Sequence, residues 1–155
     1  MSKGALEYKV DKWTFKVPKD RFYNENDCWA KIDGDIATIG ITDFLQNAVS
    51  DILFVETFKV GTKVKQFDEV ASFESVKAML DVISPVSGTI IETNLKLESL
   101  PELVNKDPYS EAWFVKIETE NLEADKKNLL EPEGYFEVLK KKVAEERRKL
   151  KKKEA

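Results

Sequence analysis

The chain contains no histidine and only one cysteine, Cys28, among its 155 residues. The absence of histidine excludes Ser–His and Cys–His nucleophile pairs and histidine-ligated metal sites. A single cysteine excludes an internal disulfide bond, so the fold does not depend on an oxidising compartment. These absences remove many common enzyme mechanisms, and we expect no residue of this chain to be catalytic by itself.

Long apolar runs are also missing. No stretch approaches the roughly 20 apolar residues that are needed to cross a bilayer, and the N-terminus lacks the basic-then-apolar pattern of a secretory signal. We therefore expect a soluble, cytoplasmic protein that has no membrane partner.

Charge, in contrast, is abundant and unevenly distributed. Charged residues make up 35% of the chain, and the formal net charge is −4. Residues 134–155 carry nine Lys or Arg and four Asp or Glu, so this tail has a charge of +5 and residues 1–133 carry −9. Because nucleic-acid-binding domains place positive charge on a folded face, the acidic body argues against a nucleic-acid partner.

The pattern of apolar and polar residues predicts one mainly β domain. The chain length fits a single domain with its own core. Six or so short strands follow one another closely between residues 29 and 92, which is typical of a small all-β barrel or sandwich. Asp33-Gly34 predicts a hairpin with a type I′ turn. Thr42 and Asp43 predict the N-terminal cap of a short helix over 44–49.

The two ends of the chain are interpreted as extensions of this domain. Residues 8–17 alternate between apolar and polar, which predicts either one N-terminal strand or an unstructured lead-in within an extension that covers 1–22. Residues 23–131 form the main domain. Residues 132–155 are predicted to form a helix with one apolar stripe and a basic tail. This helix either packs on the barrel through its first two turns, or it docks a partner or pairs with a second copy of itself.

The most informative residue is Lys77, which lies between two predicted strands. Gly61 precedes it by 16 residues, and Gly88 follows it by 11. A lysine at a turn between strands is usually a solvated surface charge. With the two glycines at this spacing, however, the segment resembles the lipoyl-lysine hairpin of swinging-arm carrier domains.

From about residue 23 to 139 the chain resembles the H protein of the glycine cleavage system, which is a lipoyl carrier. Five blocks in the same order carry the resemblance, namely 35–44, 51–56, 74–78, 84–88 and 101–109. Biotinyl domains are the nearest relatives that could be confused with this family, and they usually have a methionine on each side of the lysine. Val76 and Ala78 flank Lys77 here, so biotin is disfavoured.

The resemblance implies a barrel-sandwich hybrid of the lipoyl/biotinyl-like (hammerhead) type, with short helices and a C-terminal helical extension. It implies lipoic acid as a covalent cofactor, linked to Lys77 through an amide bond. It also implies that Glu74, Ser75, Gly61 and Gly88 present the lysine to the lipoate-attaching enzyme.

The resemblance further implies a non-enzymatic carrier. In the family, the arm accepts an aminomethyl group from glycine decarboxylase, presents it to the aminomethyltransferase, and is reoxidised by dihydrolipoyl dehydrogenase. We expect a monomer that contacts these partners transiently through polar surfaces.

The resemblance breaks at the triplet Asp27-Cys28-Trp29. Family members commonly have His-Glu-Trp at this place, and the glutamate helps to hold the aminomethylated arm in a surface cleft. In this chain the implied cleft residues are Asn26, Asp27, Cys28 and Asp81, and the matching glutamate is replaced by cysteine. Sequence drift, with Cys28 as a small apolar filler, is one explanation.

The other explanation changes the cargo. H-like lipoate-binding proteins of sulfur oxidisers work with a heterodisulfide-reductase-like complex and are thought to carry sulfur. Cys28 would then exchange with the arm through a mixed disulfide. A third class, a structural binding module in which Lys77 stays unmodified, is also open.

Overall fold

The computed structural model describes residues 4–154, and residues 1–3 and 155 of the two predicted extensions lie outside this range. The described chain forms eleven strands and five helices. The strands are β1 (Ala5–Val10), β2 (Trp13–Pro18), β3 (Phe22–Tyr23), β4 (Cys28–Asp33), β5 (Ile36–Ile41), β6 (Ile52–Thr57), β7 (Lys63–Val64), β8 (Glu69–Ser75), β9 (Met79–Ile83), β10 (Gly88–Thr93) and β11 (Val115–Thr119). The helices are α1 (Asp43–Val49), α2 (Lys96–Ser99), α3 (Leu103–Lys106), α4 (Leu122–Lys126) and α5 (Pro132–Glu154).

The strands form three antiparallel sheets. β1 and β2 form a separate hairpin, and the largest sheet has the order β3-β4-β5-β11-β10-β7. The third sheet has the order β6-β8-β9. The predicted fold class, a mainly β barrel-sandwich arrangement with short helices and a C-terminal helix, is confirmed. None of the described helices is both long and apolar enough to span a membrane.

The main core lies between the largest sheet and the three-stranded sheet. Ala37, Ile39 and Ile41 of β5 are fully buried in it. Phe73 of β8 contacts Phe114, with ring centroids 6.3 Å apart. Burial of such side chains stabilises the fold by about 25 cal/mol for each Å² of apolar surface that is removed from water.

A second core joins both ends of the chain to the large sheet. Tyr23 of β3 stacks on Tyr135 of α5, with ring centroids 4.7 Å apart and planes inclined by 11°. Val17 and Leu139 belong to the same cluster. α5 is packed through Val143, and the described side chains beyond it are exposed although the backbone stays helical.

The N-terminal segment differs from the single strand that was predicted. β1 and β2 form a hairpin in which Val10 pairs with Trp13. Asp11 has a φ of 55°, a left-handed conformation that Asp tolerates better than most residues. One long strand and two short antiparallel strands show the same alternation of apolar and polar residues. Because the turn between β1 and β2 contains no glycine, the sequence did not indicate a chain reversal there.

The hairpin between β4 and β5 is present, but its predicted turn type is wrong. The register pairs Asp33 with Ile36, so Gly34 and Asp35 are the two loop residues. Gly34 has a φ of 62°, whereas Asp35 is not among the residues with positive φ. A type I′ turn needs positive φ at both loop positions, so this turn is of another type. The pairing of buried Ala30 with buried Ile39 fixes the register and therefore the turn.

Thr42 caps α1, as predicted. Its Oγ1 accepts a hydrogen bond of 3.3 Å from the backbone N–H of Leu45, which satisfies a free amide of the first turn. The same hydroxyl lies 2.9 Å from the hydroxyl of Tyr135. The start of α1 is therefore tied to α5.

Candidate functional site

Lys77 lies at the tip of the hairpin between β8 and β9. Glu74 pairs with Met79 at the end of the two strands, and Val76, Lys77 and Ala78 belong to the connecting turn. The Lys77 side chain is exposed. The predicted arrangement of strand, turn and strand around the lysine is confirmed.

Ser75 holds the backbone of this turn in place. Its Oγ accepts hydrogen bonds from the backbone N–H of Lys77 at 3.2 Å and from that of Ala78 at 3.1 Å. The backbone N–H of Ser75 donates to the carbonyl of Ala78 at 2.8 Å. Ser75 is buried, with 6% of its surface exposed. The turn therefore has a fixed backbone and a free lysine side chain, which a modifying enzyme can reach.

Asn105 stabilises the turn indirectly, through the neighbouring segment 50–52. Its Oδ1 accepts a hydrogen bond of 2.9 Å from the N–H of Ile52, and its Nδ2 donates one of 2.9 Å to the carbonyl of Ser50. The carbonyl of Asp51, between these two residues, accepts a 3.1 Å hydrogen bond from the N–H of Val76. Sequence reasoning missed this role, although Asn105 lies in one of the five matching blocks.

Gly61 and Gly88 are not brought to Lys77. The turn lies at one end of β8 and β9, whereas Gly88 follows the other end of β9. The N–H of Gly61 donates to the carbonyl of Ile90 at 2.7 Å. A Cβ atom on Gly88 would lie 2.0 Å from the carbonyl oxygen of Glu118. Gly88 therefore allows β10 to approach β11 closely. Gly61 lies beside β10.

The loop between β3 and β4 carries the cleft residues that were predicted near the N-terminus. Asn24 shapes this loop, since its Oδ1 accepts hydrogen bonds from the N–H of Asn26 at 3.0 Å and of Cys28 at 3.1 Å. Its Nδ2 donates to the carbonyl of Ile83 at 3.0 Å. The loop is thereby fixed to the end of β9, the strand that also carries Asp81.

Asp27 is buried and is paired with groups of the chain itself. The hydroxyl of Tyr135 donates to its Oδ1 at 2.7 Å, and Lys142 Nζ donates to its Oδ2 at 2.8 Å. Lys142 also donates to the carbonyl of Glu25 at 2.6 Å. Burial raises the pKa of the Asp27 carboxyl, while the hydrogen bond and the charge of Lys142 act in the opposite direction. The ammonium of Lys142 thus already pairs with this carboxylate. No local sequence signal predicted this pair.

Cys28 is sealed inside the protein. Its side chain is fully buried, and its Sγ lies 3.6 Å from the carbonyl oxygen of Asn26. Burial raises the pKa of the thiol to about 12. Exchange with a lipoyl arm needs an accessible thiolate, which this geometry does not offer. The hypothesis that Cys28 exchanges directly with the lipoyl arm is therefore wrong for the folded chain. The other interpretation, in which Cys28 is a small apolar filler, fits its buried surroundings.

Asp81 is exposed, in contrast to Asp27. It lies on β9 opposite Ser72. A hydrogen bond with Asp81, together with its charge, raises the pKa of Glu69. Two neighbouring carboxyl groups are therefore available to solvent on the three-stranded sheet.

Comparison with known proteins gives a consistent result. The chain matches the family model described as "Glycine cleavage H-protein" over residues 21–142. A glycine cleavage system H protein of Thermus thermophilus is 46% identical over 123 residues, which cover 79% of this chain and 95% of that protein. A probable glycine cleavage system H protein of Aeropyrum pernix is 43% identical over 141 residues, which cover 91% and 98% of the two chains.

A solved structure agrees with these sequence matches. The crystal structure of a glycine cleavage system H protein from Mycobacterium marinum has a TM-score of 0.67 and 29% sequence identity. The alignment covers 77% of this chain and 95% of that one.

A barrel-sandwich fold that presents an exposed lysine on a rigid hairpin defines a carrier domain, which is a non-catalytic class of protein. The particular carrier follows from the family match, which extends over most of the chain. The chain belongs to the glycine cleavage H-protein family. The same matches do not favour the sulfur-carrying alternative.

Proposed function

We propose that this chain is the lipoyl carrier of a glycine cleavage system and that Lys77 is its attachment residue. The observation that carries the proposal is the turn itself, in which an exposed lysine side chain projects from a backbone that Ser75 fixes through two hydrogen bonds. The turn fits the group, because an amide bond at Nζ requires an accessible amine, which the exposed Lys77 side chain provides.

The surrounding residues present this lysine. Glu74 lies on β8 beside Met79, within reach of an enzyme that approaches the tip, and Ser75 keeps the tip in one conformation. Gly61 and Gly88 act indirectly, through their contacts with β10 and β11 in the largest sheet. A lipoyl group, when attached, supplies a cyclic disulfide that opens to a dithiol. Tethering it raises its local concentration at a docked partner to the millimolar range.

The partners that follow from this role are glycine decarboxylase, the aminomethyltransferase, dihydrolipoyl dehydrogenase and the lipoate-attaching enzyme. The carrier acts as a monomer in the cytoplasm, with residues 23–131 as the carrier domain between the two extensions. Within the predicted cleft of Asn26, Asp27, Cys28 and Asp81, the exposed carboxylate of Asp81 is the group that an ammonium on the arm meets, because Asp27 already pairs with Lys142.

The test combines intact mass with an exchange assay. The chain is expressed with lipoate and a lipoate ligase, next to the matched variant Lys77→Arg, which keeps the charge but offers no amine for acylation. We expect a lipoyl mass increase in the wild-type chain only. The loaded wild-type chain should support the exchange of carbon dioxide into glycine by glycine decarboxylase. A mass increase that persists in Lys77→Arg, or a loaded chain without exchange activity, contradicts the proposal.

A further inference from the structure

One side of α5 carries a basic face, which consists of four exposed cations: Lys141, Arg148, Lys151 and Lys152. Their spacings of seven, three and four residues return to the same side of a helix. Leu139 and Val143, which belong to the second core, lie on the opposite side. Among the described side chains of α5, Val143 is the last that is buried. The helix continues to Glu154, so it extends about 16 Å past this residue at 1.5 Å per residue.

Three of these cations are not neutralised by the part of the chain that the structure describes. The other described cations of α5 each form an ion pair with a carboxylate, namely Lys140, Lys142, Arg147, Arg148 and Lys149. Lys141, Lys151 and Lys152 have no such partner among the described side chains. Because residues 1–133 carry a charge of −9, an acidic molecule is repelled by the body of the protein and attracted by the basic face.

A groove of about 260 Å³ beside this face fits a carboxylate side chain. The residues that line it are Ala144, Arg147, Arg148 and Lys151. Arg147 pairs with Asp11 at 3.4 Å, and Arg148 pairs with Glu145 at 3.2 Å. These pairs are exposed, and exposed pairs contribute little stability. A carboxylate of another molecule can therefore replace them, and guanidinium groups bind carboxylates in a favourable bidentate geometry.

The end of α5 lies close to the attachment residue. Lys77 lines one surface cleft together with Arg147 and Leu150 of α5. A protein that is bound to the end of this helix is therefore held within reach of a group on Lys77, which raises the local concentration of that group at the bound protein. Three of the four cations of the basic face lie beyond residue 142, where the match to the family model ends.

We propose that the basic face of α5 binds an acidic surface on a partner enzyme and holds that enzyme beside Lys77. The inference rests on the proposed function and adds to it a docking surface and the chemistry of its partner. An anionic membrane fits less well, because Leu150 is the one large apolar residue after Val143 in the sequence and offers little surface for insertion. A long nucleic acid would also meet the acidic body, which repels phosphate.

The test compares two triple variants of the lipoylated chain that lose the same positive charge. The docking variant carries Lys141→Gln, Lys151→Gln and Lys152→Gln, and glutamine has nearly the helix propensity of lysine. The control variant carries Lys59→Gln, Lys63→Gln and Lys65→Gln, which change three exposed lysines on and beside β7. Intact mass establishes that both are lipoylated to the same extent as wild-type. KM and kcat for the carrier are then measured with glycine decarboxylase, the aminomethyltransferase and dihydrolipoyl dehydrogenase in turn.

With at least one of the three enzymes, we expect the KM of the docking variant to rise roughly tenfold at low salt, with kcat unchanged. The reason is that these lysines guide and hold the encounter but do not touch the reacting group. The control variant should keep the KM of wild-type. At about 0.5 M salt the difference in KM should largely disappear, because the charges are then screened.

An unchanged KM of the docking variant with all three enzymes overturns the inference, as does an equal rise in the control variant, which identifies net charge as the cause. Vesicles that contain phosphatidylserine and a duplex DNA serve as further probes. If the docking variant keeps its KM but loses binding to either of them, the face is assigned to that polyanion and the inference is wrong. A wild-type chain that gains no lipoyl mass, or is inactive with all three enzymes, overturns the proposed function together with this inference.

Discussion

Lys142 of α5 donates a hydrogen bond of 2.8 Å to the buried carboxylate of Asp27, which lies in the loop between β3 and β4. The two residues are separated by 115 positions in the sequence. Tyr135, one of the buried residues of α5, binds the other carboxylate oxygen at 2.7 Å. The C-terminal helix is thus attached to the carrier domain by a charged contact as well as by apolar packing.

The first prediction concerns this pair. Lys142→Met should lower the free energy of unfolding by about 2 kcal/mol, because it leaves a buried carboxylate with one donor fewer and without a counter-charge. The control is Lys149→Met, which removes an exposed pair with Glu146 and should cost less than about 0.5 kcal/mol. Urea denaturation measures both values. Equal effects of the two variants would refute a special role for Lys142.

The second prediction is the pH dependence of that loss. The pKa of Asp27 in the folded protein lies above its ordinary value of 3.8. Above pH 3.8, therefore, the unfolded chain releases the Asp27 proton before the folded protein does, and rising pH lowers the stability until the folded pKa is passed. Lys142 opposes the upward shift, so removing it raises the folded pKa of Asp27 further.

The deficit of Lys142→Met relative to wild-type should consequently be large at about pH 7 and smaller at about pH 4, where Asp27 is more protonated. Urea denaturation of both proteins at the two pH values gives the difference directly, because the other titrating groups are shared. A deficit that grows as the pH falls would contradict this assignment.

Much of this fold could be predicted from the chain alone, because its signals are local. The Thr42 cap, the β4–β5 hairpin and the strands around Lys77 each depend on neighbouring residues. The pairing of Asp27 with Lys142 could not be predicted, since it depends on where the last helix packs. The extra N-terminal turn at Asp11 was missed because a two-residue reversal without glycine leaves the alternation intact.

The candidate site shows the same division. Lys77 and Ser75 lie at one turn, as the sequence predicts for residues only two positions apart between two strands. Spacing along the chain suggested that Gly61 and Gly88 frame the lysine, but Gly88 begins β10 of the largest sheet and Gly61 bonds to that strand, whereas the Lys77 turn belongs to the three-stranded sheet. A register is set by pairing between distant segments, so sequence distance alone does not reveal it.

The third prediction separates the two glycines. Gly88→Ala should cost about 3 kcal/mol, because the new Cβ would lie 2.0 Å from a backbone oxygen of Glu118 and the strands must move apart. Gly61→Ala meets no atom within 4 Å but retains a φ of 95°, so its cost is backbone strain of about 1 kcal/mol. Denaturant titration of both variants provides the comparison. If Gly61→Ala proves the more harmful change, the close approach of β10 to β11 at Gly88 does not have the role given to it here.

The fourth prediction concerns the turn that presents Lys77. Ser75→Ala removes the acceptor for two backbone amides, so the tip should sample more conformations. We expect the ligase to lipoylate it several-fold more slowly than wild-type, with a loss of about 1 kcal/mol in stability. The control Ser99→Ala changes an exposed serine on α2 and should leave the rate unaffected. Mass spectrometry of timed samples measures the rate, and equal rates for wild-type and Ser75→Ala would contradict the role given to Ser75.

The last prediction concerns Cys28. The thiol is fully buried and its pKa is raised to about 12, so the folded chain contains almost no thiolate at neutral pH that an external reagent could reach. Iodoacetamide should therefore label it only as fast as the protein opens. Adding urea should increase the labelling rate in step with the unfolded fraction, and loading Lys77 with lipoate should not increase it. Rapid labelling of the folded, lipoylated chain would instead show that Cys28 can exchange with the arm.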